Sequence, residues 1–357
     1  MKKINLLLIG LLLMFGILLA GCSSNKEEGN LGKKDNPSNV EKTVDKEAKY
    51  YFTANESGSI TKVNAADNTV AATIEGEGTV HNIQVSPDGK IVGATLVPMM
   101  EGSHDGGHDM EMNGNALFFD TTTNELLKTV EVGNHPAHIV FTEDGKYALV
   151  TNNEDNTVSI IDMKTYSVIK TISTGKGPHG FRISHDSKYA YIANMAEDTV
   201  SVVNIETMKE EKKIKVGATP VTTGITADGK TLVVTLNAEN ALAIVNLETN
   251  EVNKVGVGKG PAQVYIDSSN KLAYVANQGT EESPSNSMSI VDITTKTVTA
   301  TIETGKGSHG VVTSSDNKYA YVTNMFENTV SVIDLAAKKV VKTLDVGKVP
   351  NGISIMK

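Results

Sequence analysis

HGFRISHDSKYAYIANMAEDTVSVVNIETMKEEKKIKV, residues 179–216, is one period of a chain that repeats itself. Four runs within it, HGFRIS, KYAYIAN, TVSVVNI and EKKIKV, alternate apolar and polar side chains and are rich in Val, Ile, Thr and Tyr. Such residues fit a pleated, half-buried strand. The connecting SHDSK has counterparts in SPDGK, TEDGK, TADGK and SSDNK, which supply the Asp, Asn and Gly of tight hairpins. Four short antiparallel strands in about 42 residues make a propeller blade.

The asparagine that closes the second strand falls at Asn55, Asn152, Asn194, Asn237, Asn277 and Asn324, and the last five are 42, 43, 40 and 47 residues apart. One more unit fits between Asn55 and Asn152, with Leu96 of DGKIVGATL at the equivalent place, so seven units result. KYYFTAN (49–55) reads as a second strand without a first, and PNGISIMK (350–357) as a first strand without the rest. Pairing the two closes a ring and leaves few free edges. The expected fold is therefore all-β: a seven-bladed β-propeller of four-stranded antiparallel blades over residues 49–357, closed by the C-terminal strand on the N-terminal blade.

YVTN stands at 321–324, YVAN at 274–277, YIAN at 191–194 and LVTN at 149–152, with NTVSVIDL and VVKTLDVG following the first of these. Over residues 50–357 the chain resembles the YVTN-type β-propeller repeat proteins. That resemblance implies the fold and a surface or periplasmic binding or scaffold role, and it carries over no catalytic residues.

The N-terminus reads as an export signal. Lys2 and Lys3 precede the uncharged run INLLLIGLLLMFGILLA, and LLAGC (18–22) resembles a bacterial lipoprotein signal. The resemblance implies cleavage before Cys22 and lipidation of its thiol. Cys22 is the single cysteine, so no disulfide framework exists. Residues 23–48 are polar and charged, too poor in apolar surface to offset their ordering entropy, and read as a tether. The expected organisation is a signal peptide (1–21), a lipidated tether (22–48) and the propeller (49–357). The membrane is then a partner through Cys22, on the outer side of the bacterial cytoplasmic membrane, which is the cell surface in a one-membrane organism. A monomer is expected. The net charge is −9, Arg182 is the one arginine and there is no tryptophan. A nucleic-acid binder needs a basic stripe and arginine forks, so that partner is not expected.

The rhythm breaks at VPMMEGSHDGGHDMEMNGN (97–115), between the second and third strands of the second blade. In a propeller those loops emerge on the same face as the loops that join blades. At the start of the innermost strands one ring position reads His81, Ala137, His179, Val221, Ala262, His309 and Asn351, with His138 one residue on and His135 just before. Met195 and Met325 begin second-to-third-strand loops on this face, and QGTEESPSNS (278–287) reads as another long one. The expected metal ligands are His81, His138, His179 and His309 over the channel, and His104, His108, Met110 and Met112 in the insert. Imidazole and thioether suit copper, and imidazole with carboxylate also suits zinc, so the expected ion is copper before zinc.

Two other functions fit the same face. One is a scaffold that holds an envelope protein or glycan without metal. The other is a channel-mouth lactonase or lyase that pairs His179 or His309 with Glu197 or Glu327. No G-x-S-x-G, H-E-x-x-H or P-loop motif occurs. Plainer roles also exist for these residues: ring histidines that bond neighbouring backbone, methionines that pack, and Arg182 as a surface strand residue or a lone anion contact.

Overall fold

A computed structural model describes residues 49–99 and 113–357. The signal segment, Cys22 and the tether lie outside the described residues, as do His104, His108, Met110 and Met112. The described strands form seven four-stranded antiparallel sheets. Blade 1 joins Pro350–Ile355 to Tyr50–Asn55, Ser59–Asn64 and Thr69–Glu75, so the C-terminal strand closes the ring as the sequence predicts. Blades 2 to 7 begin at Gly78, Pro136, Pro178, Pro220, Pro261 and Ser308. One short 3₁₀ turn, Asn237–Glu239, is the only helix among the described residues.

The terminal asparagine of the second strand explains the YVTN signature. Asn152 Nδ2 donates to Thr157 Oγ1 and Ser159 Oγ, each at 2.9 Å, and its Oδ1 accepts from Gly133 N at 3.0 Å. Asn324 repeats the set with Thr329 and Ser331 at 2.9 Å and Gly305 N at 3.1 Å. Asn55, Asn194 and Asn277 make the same pair of donations to hydroxyls of the third strand. The N of YVTN therefore requires the T and S of NTVS. It also requires the preceding VG or TG glycine, because a Cβ on Gly133 would come within 2.6 Å of the Asn152 side chain.

The threonine before the asparagine ties blades together. Thr151 Oγ1 accepts from His138 N at 3.0 Å in its own blade and donates to His179 O at 2.8 Å in the next. Thr95, Thr235 and Thr323 donate in the same way to Ala137 O, Ala262 O and Asn351 O.

Blade 5 departs from the predicted register. Its second strand ends at Leu236, which pairs with Ala241 as Asn152 pairs with Thr157. Leu236 is fully buried in an apolar cluster with Val216 and Leu232, and Asn237 instead opens the 3₁₀ turn. The equivalent of Asn152 is thus a leucine that packs where its counterparts hydrogen-bond. The stretch 278–287 also differs from expectation. Strands Leu272–Gly279 and Pro284–Asp292 run on into it and leave only a short turn, so it is an extended hairpin rather than a long loop.

Apolar burial is divided among seven clusters, one between each pair of neighbouring blades. Phe52 and Ile60 of blade 1 meet Val92 and Leu117 of blade 2, and around the ring Tyr51 and Val63 of blade 1 meet Tyr321 and Val330 of blade 7. Fourth strands such as Ser167–Ser173 lie almost wholly exposed, which is why their alternation is weak in sequence.

Asn152→Ala would leave Gly133 N–H and two hydroxyls without their partner and is expected to cost about 2 kcal/mol. Asn237→Ala should cost less than about 1 kcal/mol, because that side chain makes one 3.3 Å bond to Pro261 O. Thermal melts of the two variants compare the positions directly, and equal losses would refute the register described for blade 5.

Candidate functional site at the channel mouth

Every innermost strand carries a register shift near its start, after the first residue in six blades, as between Pro136 and Ile139 or Pro178 and Phe181, and after Val80, the third, in blade 2. A bulge of this kind sets two successive residues against one partner residue. It is what brings His138, one step past the ring position, beside two ring histidines. One nitrogen each from His81, His138 and His179 lies within 4.8 Å of the others. The rings stand edge to face or tilted, with centroids 5.4 Å apart for His81 and His179 and 4.8 Å for His138 and His179.

The hydrogen bonds determine the tautomers. His179 Nδ1 lies 3.2 Å from Val221 O, and a carbonyl only accepts, so Nδ1 carries the proton. His81 Nδ1 lies 3.0 Å from Glu56 Oε1. Asn351 Nδ2 donates to the same oxygen at 2.6 Å. Burial pushes the Glu56 carboxyl up, but the hydrogen bond and charge of His81 and the Asn351 amide outweigh it and hold the group at about 2. It is therefore a carboxylate that accepts from His81 Nδ1–H.

The neutral His179 then turns its Nε2 lone pair toward His81 Nε2 across 3.3 Å. Two bare lone pairs at that distance repel unless a proton or a cation lies between them. His138 is 1% exposed, and neither of its ring nitrogens has a hydrogen-bond partner among the described residues. Burial first, then the charges of His179 and His81, hold His138 well below the usual imidazole range. Burial likewise lowers His179 to about 3 and His309 to about 4. Two of the three clustered imidazoles, His138 and His179, are thus buried and neutral.

The predicted residues separate into three groups. His81, His138 and His179 come together. His309 is buried with Nδ1 bonded to Asn351 O at 3.2 Å, and stands outside the group of three. His135 has a left-handed backbone (φ 48°) and pairs with Glu154 at 3.4 Å on the rim. Met325 is a packing residue, its sulfur accepting from Gln278 Nε2 at 3.3 Å. Glu197 and Glu327 face Lys213 and Lys306, so neither supplies the carboxylate of a His/Glu pair.

Glu56 does, and sequence reasoning passed over it. A signal for it exists. Glu56 directly follows Asn55, the same register as Met195 and Met325, and it is the one carboxylate among the seven residues at that position.

The fold and this cluster define a seven-bladed propeller with a histidine-lined channel mouth. The YNCE-like beta-propeller family matches residues 146–285 and 281–357, together more than half of the chain, which belongs to that family. Solved structures share the architecture at low identity. Hydrazine synthase of Kuenenia stuttgartiensis is 20% identical with a TM-score of 0.65, over 77% of this chain and 89% of that one. A functionally unknown protein from Desulfotomaculum acetoxidans DSM 771 is 14% identical with a TM-score of 0.71, over 86% and 98%. A provisionally assigned 6-phosphogluconolactonase of Bacteroides fragilis NCTC 9343 is 16% identical with a TM-score of 0.68, over 87% and 99%. These likenesses concern the fold. No curated protein matches the chain.

The lowered histidines make metal-free protein acid-labile. Unfolded imidazoles take protons near 6.5, while folded His309 and His179 resist until about 4 and about 3, so stability falls progressively as pH drops through that window. Glu56 adds loss in the same direction, between its ordinary 4.5 and about 2. The melting temperature of chelator-treated protein should decline from pH 7 to pH 4, and His179→Ala should flatten that slope. An unchanged slope in the variant would assign the acid lability to other groups.

Proposed function

We propose that this chain is an extracytoplasmic, lipid-anchored binding protein that captures a transition-metal ion at the channel mouth, on His81, His138 and His179. The observation that carries the reading is the 3.3 Å separation of His81 Nε2 and His179 Nε2, each with its Nδ1 engaged by an obligate acceptor. A tetrahedral ion with metal–nitrogen bonds of about 2.0 Å spaces its nitrogens about 3.3 Å apart. Metal-binding histidines ordinarily donate their other ring N–H to a carboxylate or a backbone carbonyl, the roles of Glu56 and Val221 here. Imidazole nitrogens suit both copper and zinc, and the Irving–Williams order favours Cu²⁺ over Zn²⁺ at a given nitrogen site. The insert adds His104, His108, Met110 and Met112 in the chain segment between the second and third strands of blade 2, a further reason to rank copper before zinc.

Titration of chelator-stripped protein with Cu(I), Cu(II) and Zn(II) tests this. His138→Ala should abolish tight binding, and Glu56→Gln should weaken it roughly 10- to 100-fold. A Gly/Ser replacement of residues 99–112 measures the insert's share. If none of the three ions binds more tightly than to a generic acidic protein, the metal reading is lost and the envelope-scaffold role takes its place.

A hydrolytic reading has one observation in its favour, the Glu56–His81 pair, which has the geometry of an oriented base. Turnover of a lactone panel by metal-free protein, lost on His81→Ala, would replace capture with catalysis. The anchor rests on LLAGC: Cys22→Ser should abolish incorporation of labelled fatty acid and release the protein from the membrane fraction. Retention of the label would overturn that assignment.

A further inference from the structure

Arg182 occupies the fifth position of the innermost strand Pro178–Ile183, three residues beyond His179 along the channel. The same register in the other blades holds Gln84, Val140, Gly224, Tyr265, Val312 and Ser354. Five members of this lower ring, Arg182 among them, line a cavity of about 200 Å³ on the face opposite the clustered His81, His138 and His179, with His185 also in its lining.

The guanidinium is poorly compensated for a buried charge. Nη1 donates to the carbonyl of the neighbouring Phe181 at 2.9 Å. Among the described residues no carboxylate lies within ion-pair distance of it. Glu143, the acid that lines this cavity, is engaged by Lys357 Nζ at 3.3 Å. One positive charge therefore remains uncancelled, in a protein whose net charge is −9 and whose single arginine this is. Lys62 shows the alternative. That buried ammonium is satisfied by Thr121 O at 2.6 Å and Asn124 Oδ1 at 3.2 Å, and it lies over the Tyr50 ring. Arg182 has no such set, and its free N–H groups are the kind of planar fork that matches a carboxylate or a phosphate.

The walls support the same conclusion. Val85, Phe141, Ile183 and Ile266 place apolar surface beside the charge, which strengthens a charge pairing there relative to open water. Gln84 and Tyr265 bring an amide and a hydroxyl to the same space. Its volume equals that of about six or seven waters at roughly 30 Å³ each, enough for an anion of modest size. The glycine at 224 is required there, because a Cβ would come within 2.9 Å of Val233 Cγ2.

We propose that the lower half of the channel is an anion site in which Arg182 receives a small oxyanion, a phosphate or a carboxylate. The site is distinct from the histidine mouth and does not depend on whether that mouth takes a metal. Calorimetric titration of metal-free full-length protein with inorganic phosphate in one arm and citrate in the other tests it. Saturable binding is expected in at least one arm, and the arm that responds identifies the chemistry. Arg182→Gln should weaken that binding at least about tenfold, and Arg182→Lys should fall between, because it keeps the charge and loses the fork. His179→Ala should bind as the parent does. If Arg182→Gln proves unfolded by circular dichroism, Arg182→Lys and Gln84→Ala carry the test. No binding in either arm, or equal affinity in parent and Arg182 variants, overturns the proposal.

Discussion

A carboxamide can donate twice and accept twice, and the asparagine that ends a second strand uses that capacity to lock three chain segments at once. In Asn152 the donors hold the third strand by two hydroxyls while the oxygen holds the glycine of the loop arriving from the previous blade. These groups are buried or nearly so, where an unmade bond costs more than a made one contributes. The blade edge, the loop from the preceding blade and the strand-two turn are therefore set together. The neighbouring threonine extends the lock to the next blade's innermost strand. With apolar burial split into seven inter-blade clusters, these polar staples give each repeat its register.

The channel depends on the same device. Thr151 satisfies His138 N and reaches His179 O, so one hydroxyl fixes the relative height of two of the three histidines. The bulge then turns His138 toward its neighbours. Glu56 approaches from blade 1 and Asn351 from the closing strand, so the charge that orients His81 is assembled only when the ring is shut. The channel has opposite electrostatic character at its two ends. One mouth holds imidazoles backed by a carboxylate, and the other holds a guanidinium that no carboxylate among the described residues pairs. Burial favours this division, because it strips the proton from His138 and His179, whereas a guanidinium keeps its charge.

The repeat, the blade count and the ring closure were legible in the sequence, because alternation at period two and a repeat of about 42 residues are local properties. The ring position was legible too: His81, His179, His309 and Asn351 share a register that the turn residues mark. The register failed in blade 5, where Asn237 follows a leucine that performs the same positional role by packing. An asparagine one residue away is indistinguishable by spacing alone.

By itself, then, the sequence determined the all-β propeller and the face on which the histidines gather. The tertiary structure decided which of them meet. His81, His138 and His179 lie on three blades, 98 residues apart at the extremes, and their approach follows from blade twist and the inner-strand bulge. Glu56 is drawn to them across ring closure, while His309 turns to a backbone carbonyl. The same geometry keeps every carboxylate among the described residues beyond ion-pair distance of Arg182. Spacing along a chain specifies faces, whereas distances of three ångströms across a channel depend on how seven sheets pack.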